Sequence, residues 1–342
     1  FRDLSNVKME WTLMVGGKPY KKGEIEDLEV EPQKYADILI PCDITAAYED
    51  EPMLNVDFKL KSGEPLMEAG QTIAYDQLRV LDFSFNTTGD LPWNKSLSSS
   101  DSKKNPYFYV KCDGAEVGID RTTGLLTMYR AGGVDLLGEG GCMKPNFWRG
   151  VTDNDMGAGI NKKYSVWRDP TMNLQSLTHK KVRTAHGRVT TSDMLVTAVF
   201  DMPTVKGTLT IDYLIDANGK ITVTESFKAN GGESVGNPMR LGMVMQMPYD
   251  MDQSHYYGRG PVENYADRKF SQRIGISPQS ADEQFYPYIR PQETGTKSDM
   301  RWWLQASQRG VGVKVQGEEE PFYCSALHYD VRSEERRVGK EC

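Results

Sequence analysis

Residues 54–60 read LNVDFKL, and this stretch decides the fold class because its apolar and polar side chains alternate strictly. Successive side chains of an extended chain point to opposite faces, so the apolar residues of this stretch share one face. Those residues are Leu54, Val56, Phe58 and Leu60. One face is therefore buried and the other is wet, which predicts a β-strand in a half-buried sheet.

Similar short runs of Val, Ile, Leu, Tyr and Phe recur along the chain, separated by turns rich in Gly, Asp, Asn and Pro. Helical periodicity is scarce, so the pattern predicts an all-β protein. The other predicted strands are residues 10–15, 35–40, 71–81, 108–110, 117–120, 125–129, 195–201, 207–216, 221–228, 241–246 and 310–315.

The chain divides at a Ser- and Lys-rich stretch, NKSLSSSDSKKNP at residues 94–106, which has the composition of a linker. We predict a small β-sandwich over residues 1–81 and a linker over residues 82–105. Residues 106–331 contain too many strands for another small sandwich, so we predict a large sandwich of two sheets, incomplete at its C-terminal end.

Composition excludes several classes of function. Lys and Arg number 41 against 48 Asp and Glu, and the basic residues form no long run, so a nucleic-acid surface is not expected. No apolar stretch approaches the roughly 20 residues of a membrane-spanning helix, so no membrane partner is expected. The five cysteines contain no CxxC pair, which gives no support to a zinc or redox motif. The cellular compartment stays open.

The two ends of the chain indicate a piece of a longer protein. The N-terminus, FRDLSNVKMEW, has neither an initiating Met nor a signal-peptide pattern. The last eleven residues, RSEERRVGKEC at 332–342, resemble the translation of a sequencing adapter. We therefore exclude residues 332–342 from the interpretation of the fold.

Three clusters concentrate Trp, Arg, Asp, Asn and Gly in place of strand-forming residues, so we interpret them as loops. The first is NFWRGVTDNDMG at residues 146–157, the second is YGRGPVENYADR at 257–268, and the third is YPYIRPQETG at 286–295, with RWW following at 301–303. The GRG of the second cluster is interpreted as a turn and not as a dinucleotide-binding motif.

The acidic residues of these clusters could be interpreted as a calcium site or as a catalytic acid–base pair. DNDMG lacks the spaced carboxylates of a calcium loop, so we expect Asp153, Asn154 and Asp155 to cap turns. Glu263 and Glu293 could form an acid–base pair for glycoside hydrolysis. Arg residues beside each of them would hold it ionised, however, which favours structural ion pairs.

These clusters resemble the C-terminal part of the large, LacZ-type bacterial β-galactosidases of glycoside hydrolase family 2. FWRGVTDNDMG, GRGPVENYADR and PYIRPQETG with RWW are similar to three motifs of that family, in the same order. The resemblance implies that residues 1–81 are an immunoglobulin-like β-sandwich, the fourth domain of such enzymes. Residues 106–331 would be the start of their galactose-mutarotase-like β-sandwich, also called the small chain or fifth domain.

The resemblance implies a parent enzyme that hydrolyses terminal non-reducing β-D-galactose by a retaining mechanism with two glutamates. Its catalytic barrel, with a Mg²⁺ and a Na⁺ ion, would lie outside this chain. The chain would thus contain no catalytic residue, metal site or cofactor, and would be inactive alone. Its substrate would reach it only through the barrel, and the parent would be a homo-oligomer.

Two groups of residues follow from the same resemblance. The loop residues expected to shape the substrate pocket are Asp153, Asn154, Asp155 and Gly157. The residues expected to maintain the fold through a polar network are Arg149, Arg259, Glu263, Tyr265, Asp267, Arg268 and Glu293. Replacement of Glu263 by Ala is accordingly expected to destabilise the sandwich.

Two further interpretations stay open. The chain could be the natural small, carbohydrate-binding subunit of a β-galactosidase that is split into two chains. It could also be a stand-alone enzyme of the mutarotase type, which would require His255 or His328 to face a glutamate across a cleft.

Overall fold

The structure is a computed structural model that describes residues 2–42, 48, 50–85, 95–186, 189–232, 235–290 and 292–330, without the side chains of residues 185, 186 and 189. The proposed adapter-derived tail and the middle of the predicted linker therefore lie outside the described residues. Among the described residues, no helix is long and apolar enough to cross a membrane.

The described chain consists mainly of antiparallel strands. They are β1 (Val7–Val15), β2 (Lys18–Ile25), β3 (Pro52–Leu60), β4 (Thr72–Arg79), β5 (Ser98–Ser100), β6 (Tyr107–Lys111), β7 (Ala115–Asp120), β8 (Leu126–Ala131), β9 (Val134–Asp135), β10 (Met143–Asn146), β11 (Asn173–His186), β12 (Val189–Met202), β13 (Gly207–Ile215), β14 (Ile221–Ala229), β15 (Gly242–Met245), β16 (Gln253–Gly260), β17 (Arg273–Ser280), β18 (Lys297–Met300), β19 (Trp302–Ala306), β20 (Gly312–Gln316) and β21 (Phe322–Cys324). The helices are short: α1 (Asp153–Gly157), α2 (Ile160–Lys163) and α3 (Ala281–Gln284), with 3₁₀ turns at Ser165–Trp167 and Pro203–Val205.

The first sheet has the order β2-β1-β3-β4. It contains the LNVDFKL stretch, whose Leu54, Val56 and Leu60 are buried as the alternation predicted. They pack with Trp11 and Leu13 of β1 in one apolar cluster. The described residues of this segment form a single sheet, so the immunoglobulin-like pairing of two sheets stays a prediction.

The strand predicted over residues 35–40 is wrong. These residues have no regular structure, and Tyr35 and Leu39 are 93% and 90% exposed. An apolar run becomes a strand only where a neighbouring strand pairs with its backbone, and residues 35–40 have no such neighbour in the described part of the chain. The other predicted strands each lie in or overlap an observed strand.

The large sandwich has two facing sheets. One follows the order β15-β10-β8-β7-β6-β5, with β9 paired to β8, and the other has the order β11-β12-β13-β14. Strand β13 shows why they pack together, because every second residue of GTLTIDYLI is buried. Phe108, Ile119 and Ile211 are among the fully buried side chains between the sheets. An all-β sandwich is therefore present, but these two sheets account for the predicted range only as far as β15, and the strands after it form other sheets.

Two local predictions need correction, and one strand was not predicted. The predicted linker contains a strand, β5, whose small Ser side chains allow the edge to pair with β6. Strand β11 has no apolar run, but it pairs with β12 along its length. Gly258–Gly260 is not a turn but the end of β16, and a Cβ atom on Gly258 would lie 3.0 Å from Met300 Cα. Glycine is needed at 258 for this close packing.

A half-buried glutamate lies on the inner face of the sandwich. Glu225 lies between Val223 and Phe227 on the same face of β14, and its Oε1 atom is buried without a hydrogen-bond partner among the described residues. Burial raises the pKa of Glu225 to about 7, because the charged form loses its hydration. The position therefore makes the stability of the sandwich depend on pH.

We expect the replacement Glu225→Gln to flatten this dependence. The unfolded-state pKa is near 4.5, so the native stability is complete below that pH and is lost as the pH rises through about 7. At pH 8 the free energy of unfolding of the Glu225→Gln variant should be about 1–3 kcal/mol higher than that of the unsubstituted chain. Urea titrations at pH 4.5 and pH 8 measure the difference. An equal effect of the substitution at both pH values would contradict the assignment.

The last part of the chain forms a third unit, against which the first sheet packs. Its main sheet has the order β17-β16-β19-β20, and β18 pairs separately with β21. Met53 of β3 packs with Tyr257 and Ile274 of this unit. The side-chain amide of Gln77 also accepts a hydrogen bond from Ile274 N at 2.7 Å and donates one to Ile274 O at 2.9 Å. The first and last parts of the chain are thus joined directly.

An ion pair lies at the centre of this junction. The Arg301 guanidinium donates to both carboxylate oxygens of Glu51, at 2.9 and 2.5 Å, and the Tyr257 hydroxyl donates to the same carboxylate at 2.8 Å. The two charged side chains are 1% and 0% exposed. Because neither charge has access to water, each depends on the other.

Candidate functional site

The three sequence clusters meet in space through hydrogen bonds to two glutamates. Glu293 of the third cluster is 6% exposed, and its Oε2 accepts a hydrogen bond from Gly150 N of the first cluster at 2.7 Å. Its Oε1 accepts from Arg240 Nη2 at 2.9 Å and from Thr296 Oγ1 at 2.5 Å. The Glu293 carboxylate therefore fastens the backbone of the first cluster to the third.

Gly150 is required at this contact. A Cβ atom on residue 150 would lie 2.8 Å from the Glu293 nitrogen, which is closer than side-chain carbons approach backbone. The close approach of the backbone at residue 150 to the backbone at residue 293 thus explains why the WRG sequence has a glycine at this position.

Glu263 of the second cluster is held in a similar way. Its Oε1 accepts hydrogen bonds from Arg268 Nη2, at 3.0 Å, and from the Tyr288 hydroxyl. Its Oε2 accepts from Gly295 N at 2.9 Å. Glu263 is 8% exposed. Because Tyr288 and Gly295 belong to the third cluster, the Glu263 carboxylate joins the second cluster to the third.

A tyrosine connects the two glutamate centres. The Tyr265 hydroxyl donates to the Glu293 carbonyl oxygen at 2.8 Å, and the Arg268 guanidinium lies 5.2 Å from the centre of the Tyr265 ring. Burial, together with the charges of Glu263 and Glu293, raises the pKa of Tyr265, so this hydroxyl stays protonated and remains a donor.

A buried lysine lies beside the Glu263 centre. Lys297 is 1% exposed and donates from Nζ to the Gly295 carbonyl oxygen at 2.9 Å. Burial lowers the pKa of Lys297 to about 8, and the charge of Glu263 opposes this effect. Lys297 lies in no sequence motif and was not predicted, because its burial arises only in the folded chain.

The DNDMG residues form the short helix α1 and not a loop. Thr152 caps this helix, and Asp155 completes a capping box by accepting from Thr152 N at 2.8 Å. Arg149 donates to both oxygens of Asp155, at 2.6 and 3.2 Å. Burial alone would raise the pKa of Asp155, but the hydrogen bonds from Arg149 and Thr152 outweigh it and lower the pKa. Asp155 is therefore a charged structural residue that points inward.

The other pocket candidates of this segment face outward. Asp153, Asn154 and Gly157 are exposed, and a Cβ atom on Gly157 would meet no other atom within 4 Å. Asp153 Oδ1 accepts a hydrogen bond from Arg290 Nη1 at 3.1 Å, in an ion pair whose side chains are both 61% exposed. The structure thus separates the four candidates into one buried residue and three that are available to a ligand.

Two residues of the predicted polar network lie away from the two glutamates. Arg259 donates to Asp299 Oδ2 and to the Gln272 carbonyl oxygen, both at 2.6 Å, and it supports the end of β16. Asp267 is exposed and has no ion pair or hydrogen bond with a described residue, so the structure places it outside the buried network.

Sequence reasoning missed several residues of the network. Arg240 lies in the NPMR stretch before β15, which carries no motif, and only the fold brings it to Glu293. Asn264 and Tyr288 lie inside the clusters, but their partners are not visible in the sequence. The side-chain amide of Asn264 donates to the Arg259 and Val262 carbonyl oxygens, both at 3.0 Å.

The two histidines that a mutarotase mechanism would use lie in different surroundings. His328 Nε2 lies 3.9 Å from Asp282 Oδ1, and its ring stacks on Tyr249 at 4.2 Å. His255 is exposed on β16. Neither histidine has a hydrogen bond or ion pair with a glutamate of the described chain. The same residues contain no cluster of three or more His, Cys, Asp or Glu side chains arranged for a metal ion.

Comparison with known proteins is consistent with this geometry. The first 81 residues match the model "Beta-galactosidase, domain 4". Similar curated proteins include a beta-galactosidase of Priestia megaterium, 26% identical over 93% of this chain and 30% of its own length. A beta-galactosidase of Lactobacillus delbrueckii subsp. bulgaricus is 27% identical over 96% of this chain and 31% of its own length. The chain thus spans less than a third of the length of these relatives.

The match of the second block is the most extensive. Residues 111–337 match the model "Beta galactosidase small chain", and this range contains the three clusters and both glutamate centres. Since the match covers more than half of the chain, the chain belongs to the β-galactosidase small chain family.

Proposed function

We propose that this chain is the accessory β-sandwich part of a large, LacZ-type β-galactosidase of glycoside hydrolase family 2. The whole enzyme would hydrolyse terminal non-reducing β-D-galactose residues by a retaining mechanism with two glutamates in a barrel outside this chain. The observation that carries the proposal is the bonding of Glu263 and Glu293, which leaves neither carboxylate available for chemistry. The names and greater lengths of the relatives support the same division.

The bonding of the two glutamates is unsuited to catalysis. A general acid must have its carboxyl group within hydrogen-bond reach of the glycosidic oxygen, whereas an Arg and a backbone N–H already donate to each of these carboxylates. A nucleophile must reach the anomeric carbon, and both side chains are buried. The hydrogen bonds of the two glutamates instead suit a structural role, in which they hold the first cluster in position.

The oriented part of the first cluster is the outward face of α1. We propose that Asp153, Asn154 and Gly157 border the entrance to the substrate site of the barrel. Asp155 would hold them there through Arg149 and Thr152. Gly159, with a φ of +69°, permits the turn between α1 and α2. The Mg²⁺ and Na⁺ ions are proposed to belong to the barrel, and the whole enzyme is proposed to be a homo-oligomer.

A second candidate function is the small subunit of a β-galactosidase composed of two chains. The small-chain family match over residues 111–337 favours it. In that case a separate large chain would supply the barrel, and the site residues would keep the same roles. The two candidates differ only in whether the barrel is covalently attached.

The test is hydrolysis of a nitrophenyl β-galactoside by the purified chain, alone and with the barrel-containing half of a related β-galactosidase. We expect no hydrolysis by the chain alone and renewed hydrolysis with the barrel half. Hydrolysis by the chain alone, abolished in Glu263→Gln or Glu293→Gln, would contradict the accessory role. A barrel half that is fully active without this chain would also contradict it.

A further inference from the structure

A cleft on the large sandwich shares no residue with the three clusters. It has a volume of about 660 Å³ and lies where β8 and β9 meet the end of β15. This volume is within the range of sites that hold a small organic ligand. The cleft is therefore large enough for one or two sugar rings.

The walls of the cleft are formed by closely packed backbone. Gly138 N donates to the Gln246 carbonyl oxygen at 3.0 Å, and Gly141 N donates to the Gly138 carbonyl oxygen at 2.8 Å. A Cβ atom on Gly141 would lie 2.9 Å from the latter oxygen. The cleft is thus bounded by a tight turn and not by loosely packed side chains.

An aromatic ring stands at one side of the cleft. Tyr249 is 78% exposed, although one face of its ring stacks on His328 with ring centres 4.2 Å apart. His328 in turn is 12% exposed and lies 3.9 Å from Asp282, so it supports the tyrosine ring from behind. The second face of Tyr249 is open, as is required for stacking on the apolar face of a sugar.

Several polar groups of the cleft have no protein partner. The hydroxyl of Thr127 is buried without a hydrogen-bond partner among the described residues. The side chains of Glu139 and Gln246 are exposed and form no hydrogen bond with a described residue. A buried hydroxyl without a partner is costly, and a ligand hydroxyl would remove that cost.

The charge of the cleft selects among ligand classes. Asp135 and Glu139 line it, and Arg130, which follows the lining residue Tyr129 in the chain, donates to both oxygens of Asp135 at 2.9 and 3.1 Å. An anionic ligand would meet these carboxylates, and the described residues that line the cleft include no Lys or Arg. A neutral polyol with one apolar face meets the Tyr249 ring together with acceptor and donor groups.

We propose that this cleft is a non-catalytic binding site for a neutral saccharide, which stacks on Tyr249 and hydrogen-bonds to Thr127, Glu139 and Gln246. The site rests on the proposed function only for the choice of a β-galactoside as the first probe. A sugar held here lies on the sandwich, apart from the residues that border the proposed entrance to the barrel.

The test is titration of the full chain with methyl β-galactoside and methyl β-glucoside at millimolar concentrations, followed by saturation-transfer NMR. Tyr249→Ala should weaken binding by about tenfold, because the stacking surface is lost. Thr127→Val, which keeps the shape of the side chain, should weaken it by about fivefold. Tyr35→Ala, at a tyrosine that is 93% exposed and outside the cleft, is the matched control and should bind as the parent chain does.

Absence of binding of both glycosides would overturn the proposal, as would unchanged binding in Tyr249→Ala. Binding does not require hydrolysis, so the result is independent of the nitrophenyl galactoside assay. A chain that binds methyl β-glucoside through Tyr249 but fails to restore hydrolysis would support the saccharide site and contradict the proposed function. Restored hydrolysis without saccharide binding would support the proposed function and overturn the saccharide site.

Discussion

Glu51→Ala is expected to lower the free energy of unfolding by about 3–5 kcal/mol, because it leaves the Arg301 guanidinium buried without its counter-charge. Arg301 is 1% exposed in the structure, so water cannot replace the carboxylate. Tyr257 would lose the acceptor of its hydroxyl as well. Urea unfolding followed by circular dichroism and by tryptophan fluorescence measures the loss.

Two variants make this expectation specific. Asp57→Asn removes another ion pair of the same junction, with Arg273, but those side chains are each 27% exposed and the loss should be at most about 1 kcal/mol. Adding Arg301→Met to Glu51→Ala removes the uncompensated charge and should recover part of the stability. A Glu51→Ala chain as stable as Asp57→Asn would show that the buried pair does not hold the junction.

Glu263→Ala is expected to lower the free energy of unfolding by about 2–4 kcal/mol. The substitution leaves Gly295 N–H without its acceptor and removes the anion that Arg268 and Tyr288 contact. Lys297, buried beside it, would also lose a favourable charge. Thermal unfolding of the purified variant measures the effect.

Asp267→Ala is the matched control for this experiment, since Asp267 belongs to the same cluster but is exposed. Its melting temperature should equal that of the parent chain. A Glu263→Ala chain that melts with the control would contradict the structural role. Loss of hydrolysis by such a stable variant, when it is combined with the barrel half, would instead indicate that Glu263 takes part in the reaction.

The strands were predictable where local alternation coincides with burial. In three strands the apolar residues of the sequence are the residues that are buried, because every second side chain of a strand points toward the core. These strands contain LNVDFKL, GTLTIDYLI and residues 117–120. Strand β11 could not be predicted in this way, since it is defined by pairing with β12. The error over residues 35–40 has the same origin, as their apolar run has no observed partner strand.

The candidate site was predictable as a set of residues but not as an arrangement. The clusters contain Glu263, Glu293, Arg149 and Asp155, and the adjacent Arg residues predicted that the two glutamates form structural ion pairs. The sequence could not show that Arg240 pairs with Glu293, nor that Asp155 points inward while Asp153 points outward. These differences depend on which backbone segments meet.

The sequence by itself determined the all-β class, the two-sheet sandwich and the family resemblance of the clusters. Those properties are encoded by alternation and by short motifs, which are local. The tertiary structure alone decided that Glu51 and Arg301, 250 positions apart, form one buried pair. It also decided that Tyr249 and Thr127, whose hydroxyl has no partner among the described residues, line the same cleft. Such contacts depend on the packing of distant strands, because burial and pairing are properties of the folded chain and not of neighbouring residues.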